Sequence, residues 1–105
     1  MKWTTNISPL IKEVELRKNI VIVRVNKFDE EHAKKFSDSV SQAHNTGQPV
    51  IPVVIDSYGG EVYALMAMIS TIRAAEIPVA TIVEGKAMSC GSILFSFGEQ
   101  GLRFM

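Results

Sequence analysis

Val50-Ile51-Pro52-Val53-Val54-Ile55-Asp56-Ser57-Tyr58-Gly59-Gly60-Glu61-Val62 joins a β-branched run to a glycine turn and then to a helical pattern. Residues 50–55 have strand length and are apolar at successive positions, as a strand buried on both faces must be. Pro52 has no N–H for a ladder, which predicts a bulge or an edge-like position there. Residues 56–60 read as a turn. From Glu61 to about Ala75 the residues Val62, Leu65, Met66, Ile69 and Ile72 recur at helical spacing. Ala64, Ala67 and Met68 make the other side apolar too, so this helix is expected to be covered on most sides, and Pro78 stops it.

The same strand-then-helix unit recurs on either side. Ile20-Val21-Ile22-Val23-Arg24-Val25 is a β-branched run of strand length. Asp29 is placed to cap the next helix, whose apolar positions Ala33, Phe36, Val40 and Ala43 share a face, and Gly47 and Pro49 end it. Downstream, residues 79–83 form a third strand, 84–88 a loop, 89–97 a short apolar helix, and 102–105 the start of another strand. The methionines at 66, 68 and 88 read as core filler. Residues 1–18 are a polar arm or lead-in, and residues 19–105 form one domain with no repeat or linker inside it. Strand–helix alternation predicts an α/β fold with a mainly parallel sheet and right-handed crossovers. Every strand-to-helix turn then lies at the carboxyl ends of the strands, so Gly59-Gly60 and Ser89 share the edge where ligand sites form.

Bulk composition narrows the functional classes. A chain of 105 residues supports one modest core. The 47% hydrophobic and 21% charged residues are those of a globular chain rather than a disordered one. Eleven lysines and arginines balance eleven aspartates and glutamates, so no net field recommends nucleic acid or an anionic membrane as a partner. Cys90 is the only cysteine, which rules out an internal disulfide and points to no oxidising compartment. The first nine residues lack the apolar core of a secretory signal, and the long uncharged stretch from Val62 meets Arg73, Glu76 and Pro78 too soon to span a bilayer. A soluble cytoplasmic protein is expected.

Acyl transfer needs a nucleophile, a base, and N–H groups aimed at the oxyanion. The stretch Ala87-Met88-Ser89-Cys90-Gly91-Ser92 places a serine at a helix start, where the first amides have no helical partner. The N–H of Cys90 then points where an oxyanion would form, and Gly60, at the start of the preceding helix, is free to aim its amide at the same spot. Each feature alone has a plainer reading. Gly59-Gly60 is a tight turn, Ser89 an N-cap, Cys90 a small buried hydrophobe, and Lys86 a solvated loop lysine rather than the base of a Ser–Lys pair.

The ordered pair of turns is more specific. Asp56-Ser57-Tyr58-Gly59-Gly60-Glu61-Val62, succeeded after a helix and a strand by Glu84-Gly85-Lys86-Ala87-Met88-Ser89-Cys90-Gly91-Ser92, resembles the proteolytic subunit of the ATP-dependent Clp protease. That family has an Asn-Ser-Pro-Gly-Gly turn and later a Gly-x-Ala-x-Ser-Met-Gly/Ala turn with its nucleophilic serine. The segment from Phe97 to Phe104 is similar to the family's stretch beyond the nucleophile helix, and the likeness covers roughly residues 20–105.

The resemblance implies a Clp/crotonase-like fold, Ser89 as nucleophile, and the backbone amides of Gly60 and Cys90 as oxyanion hole. It implies no cofactor and no metal. Its partners would be unfolded polypeptide, further copies of the chain in a ring, and an ATPase unfoldase. Tyr58 stands where the family has proline, which loosens the turn, and Cys90 stands where it has methionine. The family's base histidine lies roughly two dozen residues past the serine and its aspartate later still, whereas this sequence has sixteen residues after Ser89. His44 falls at the wrong edge of the sheet and His32 is a surface helix residue. A partial serine endopeptidase domain without its base, and so without activity by itself, is the leading expectation. A non-catalytic assembly subunit and a crotonase-like acyl-CoA site are the alternatives.

Overall fold

The computed structural model describes residues 20–105; the arm expected over residues 1–18 lies outside them. Strand β1 is Val23–Val25, helix α1 Glu30–Asn45, strand β2 Ile51–Ser57, helix α2 Val62–Ala74, strand β3 Val79–Ala87, helix α3 Cys90–Ser96 and strand β4 Arg103–Phe104. The strands form one sheet in the order β1-β2-β3-β4, and each neighbouring pair is parallel. This is the α/β architecture with repeated strand–helix units that the alternation predicts.

Alternation along β2 sorts the two faces. Ile51, Val53 and Ile55 pack with Phe36, Val40 and Ala43 of α1, Leu65, Met68, Ile69 and Ile72 of α2, and Cys90 and Leu94 of α3. Val50, Ala80 and Leu102 form a second, smaller cluster with Ile20, Ile82 and Phe104. All three helices thus share one core. Burying each large aliphatic side chain in it contributes roughly 1.5–3 kcal/mol.

The local chemistry explains where each element begins. The Asp29 carboxylate accepts from the His32 N–H at 2.8 Å, capping α1 as expected. Glu30 and Glu31 in its first turn complement the helix dipole. The first strand is shorter than the β-branched run, because Val21 pairs with a side chain instead. Gln48, 2% exposed, accepts from the Val21 N–H at 2.9 Å and donates to the Val21 carbonyl at 3.1 Å.

Pro52 sits in an internal strand, not at an edge, yet it breaks no ladder bond. The Ile51 N–H donates to Pro78 on the β3 side, so position 52 faces the β1 side, where pairing starts only at Val23–Val53. The register shift in β2 lies instead between Ile55 and Ser57. Strand β3 continues through residues 84–87, which were expected to be loop. Helix α2 is covered on one side only: Ala64, Leu65, Met68, Ile69 and Ile72 are buried, whereas Val62, Tyr63 and Met66 are exposed. Met68 is core filler as expected, but Met66 and Met88 are half-exposed surface residues. Among the described residues no helix is long and apolar enough to cross a membrane.

Candidate active site

Strands β2 and β3 end side by side, with Ser57 opposite Ala87, and the Met88 N–H donates to the Ser57 carbonyl at 3.0 Å. The turns beyond them therefore leave from the same point of the carboxyl edge. Gly59 has φ +113°, and a Cβ there would lie 2.9 Å from the Ser89 Cβ and 3.1 Å from the Met88 carbonyl oxygen. Only glycine fits. Gly60 is just as confined on its other side, where a Cβ would lie 2.5 Å from the Phe28 carbonyl oxygen. Phe28 pairs with Gly60 as an isolated parallel bridge, and the Glu61 N–H donates to the Phe28 carbonyl at 2.8 Å. The two glycines let one turn pass between the start of α1 and the start of α3.

Ser89 is the one non-glycine residue with positive φ among the described residues, at φ 52° and ψ −115°. That ψ lies outside the left-handed helical well, so the backbone here is strained. Ser89 stands at the N-cap position of α3 as expected, but its hydroxyl makes no capping bond. The side chain is exposed on a sharp strand-to-helix turn, the geometry that thrusts a serine oxygen out of an α/β sheet. The Ser89 carbonyl is already used, accepting from Ser92 and Ile93 at 3.1 and 3.3 Å. The N–H groups of Gly60 and Cys90 have no acceptor among the described residues. Cys90 is buried, and its thiol donates to the Gly60 carbonyl at 3.5 Å, tying one turn to the other. Ser89, Cys90 and Gly60 are thus brought to one spot.

Lys86 lies on β3 rather than in a loop, and its part-exposed side chain is paired. Its ammonium donates to Asp56 Oδ1 at 2.8 Å and lies 4.5 Å from the centre of the Tyr58 ring. The hydrogen bond from Lys86 holds the Asp56 carboxyl below its ordinary range, and its reciprocal raises the Lys86 ammonium. Among the described residues its ammonium makes no hydrogen bond to Ser89. Sequence reasoning missed Asp56 and Tyr58 as partners of Lys86. Opposite charges at the ends of adjacent parallel strands were the available signal, legible only with the register in hand.

The histidines serve elsewhere. His44 Nε2 accepts from the Glu76 N–H at 3.0 Å, so its proton is on Nδ1, which donates to the Val40 carbonyl at 2.9 Å. Both contacts lie at the amino edge of the sheet, opposite Ser89. His32 Nδ1 lies 2.6 Å from Asp29 Oδ1, and the same carboxyl is held below its ordinary range chiefly by the His32 N–H. A cavity of about 540 Å³ also opens at the amino edge, between Arg73, Glu76, Phe97, Glu99 and Arg103, away from Ser89.

Comparison with known proteins places the chain in a family. The family described as Clp protease matches residues 8–105. The ATP-dependent Clp protease proteolytic subunit of Deinococcus radiodurans is 47% identical over 53 residues, half of this chain and 26% of that subunit. The subunit of the same name from Leuconostoc citreum is 46% identical over 55 residues, 52% of this chain and 28% of its own length. The matched stretch thus spans about a quarter of each relative's length. Two closely apposed turns, one of paired glycines and one of a strained serine, lie within a fold and a match that extend almost from end to end: the chain belongs to the Clp protease family.

Proposed function

We propose that these residues carry the nucleophile and oxyanion hole of a serine endopeptidase that hydrolyses peptide bonds in unfolded polypeptide. The strained backbone of Ser89, packed against Gly59, is the observation that carries this reading. Ser89 Oγ attacks the peptide carbonyl carbon while its proton passes to a base. The N–H groups of Gly60 and Cys90 stabilise the negative oxygen, and removing one such donor typically costs about 10²–10³ in rate. The C–N bond then breaks, the amine leaves with the proton, and water hydrolyses the Ser89 ester.

Among the described residues no hydrogen bond joins Ser89 to a histidine: His44 is bonded at the opposite edge, and His32 meets Asp29. These 105 residues by themselves are expected to have little or no peptidase activity. Family membership supports work in a ring of copies in the cytoplasm, fed by an ATPase unfoldase. The acyl-CoA alternative has no comparable support, since the family match is to a protease.

A fluorophosphonate probe tests the reading when the missing base is supplied as imidazole. Probe alone leaves Ser89 unlabelled. Added imidazole accelerates labelling at Ser89 over Ser57 and Ser92, mapped by peptide mass spectrometry, and Ser89→Ala abolishes it. Label spread evenly over the serines would sink the nucleophile assignment. Rapid labelling without imidazole would show that a base is present.

A second reading, an assembly subunit without catalysis, is favoured by one observation. Val62, Tyr63 and Met66 of α2 are 66%, 61% and 56% exposed, an apolar strip suited to a protein partner.

A further inference from the structure

Tyr58 lacks the fixed φ of a proline, so the stiffness of the turn at 56–60 must come from contacts. Those contacts converge on one side chain. The register shift after Ile55 sets Gly85 beneath Asp56: a Cβ on Gly85 would lie 2.8 Å from Asp56 Oδ1. The absence of a side chain at position 85 lets the carboxylate settle there, and Lys86 meets it at 2.8 Å. The same ammonium faces the Tyr58 ring at 4.5 Å. Lys86 therefore grips the residues on both sides of Ser57. Ser57 itself accepts from the Gly59 N–H through its hydroxyl at 3.0 Å and from the Met88 N–H through its carbonyl at 3.0 Å. Gly59, the next link, lies so near Ser89 that a Cβ on it would come within 2.9 Å of the Ser89 Cβ.

We propose that Lys86 is a positioning residue whose ammonium, gripping Asp56 and Tyr58, locks the Gly59–Gly60 turn against the Ser89 elbow. It touches no reacting atom and acts through the turn. Release of the grip lets the Gly60 amide drift from the point at which the Cys90 amide is aimed, so the two cease to act on one oxyanion. The catalytic consequence rests on the reading of Ser89 as nucleophile, whereas the lock itself does not.

Amide hydrogen exchange measured by NMR tests the lock in the whole chain, with Lys86→Met and Lys86→Arg compared. Lys86→Met keeps an apolar stem of similar length and removes the charge. Exchange at Gly59 and Met88 then rises roughly three- to tenfold, the range that one exposed ion pair and one cation–π contact govern. The amides of Val53 and Ile55, deeper in β2, keep their rates, and Lys86→Arg restores Gly59 and Met88. Imidazole-assisted labelling of Ser89 falls by a similar factor in Lys86→Met and recovers in Lys86→Arg.

Unchanged exchange at Gly59 and Met88, or failure of arginine to rescue it, overturns the proposal. An equal rise at all four amides also overturns it, because that marks general loosening rather than a lock. If Ser89 proves unreactive in the unsubstituted chain, the nucleophile reading falls while the exchange result still decides the lock.

Discussion

Ser89 and Gly60 show how little of a site resides in side chains. Ser89 was legible as a serine at a helix start, but its φ of 52° was not, because an N-cap serine ordinarily keeps extended angles. A helical turn anchored on its carbonyl fixes the residue, and the turn beside it has room only for glycine at 59. Gly60 was legible as a turn glycine, yet what confines it is Phe28, more than thirty residues earlier. Gly60→Ala forces a Cβ onto the Phe28 carbonyl and should destabilise the chain by roughly 2–3 kcal/mol. Urea unfolding monitored by circular dichroism checks this, and a midpoint equal to the unsubstituted chain's would show that the turn shifts freely.

Among the elements, helix α1 was legible almost to the residue. Asp29, the acidic first turn and the Phe36–Val40–Ala43 face are local signals, each set by neighbours within two turns. Strand β1 was not, since residues 20–25 are uniformly β-branched apart from Arg24 while the ladder starts only at Val23. The cause is Gln48, whose amide takes the place of a strand partner for Val21. It also donates to the Val50 carbonyl at 2.8 Å and accepts from Thr46 at 2.8 Å, so every polar atom of this buried side chain is bonded. Gln48→Leu takes this partner from three backbone groups, the N–H and carbonyl of Val21 and the carbonyl of Val50. Their loss should cost about 3 kcal/mol, read as a lower urea midpoint with the slope unchanged. A gain in stability would mean that Val21 finds water instead.

For the molecule as a whole, the apolar strip of α2 decides behaviour in solution. The sequence pattern reads as a helix covered on most sides, but among the described residues Val62, Tyr63 and Met66 remain bare. Sedimentation velocity at micromolar concentration is expected to show species heavier than the 11.6 kDa chain, and Tyr63→Glu to return them toward monomer; a monomer throughout counts against assembly. The amino-acid sequence by itself determined the α/β class, the order of strands and helices, the edge on which Gly59-Gly60 and Ser89 fall, and the family. All of these come from periodicity and ordered motifs, which are properties of short segments. Only the tertiary structure decided that Lys86 holds Asp56 and Tyr58, that His44 is tied to Glu76 at the far edge, and that Ser89 leaves no room for a side chain at Gly59. Each of those depends on the register between strands or the packing of distant turns, and register is an outcome of burial across the whole sheet.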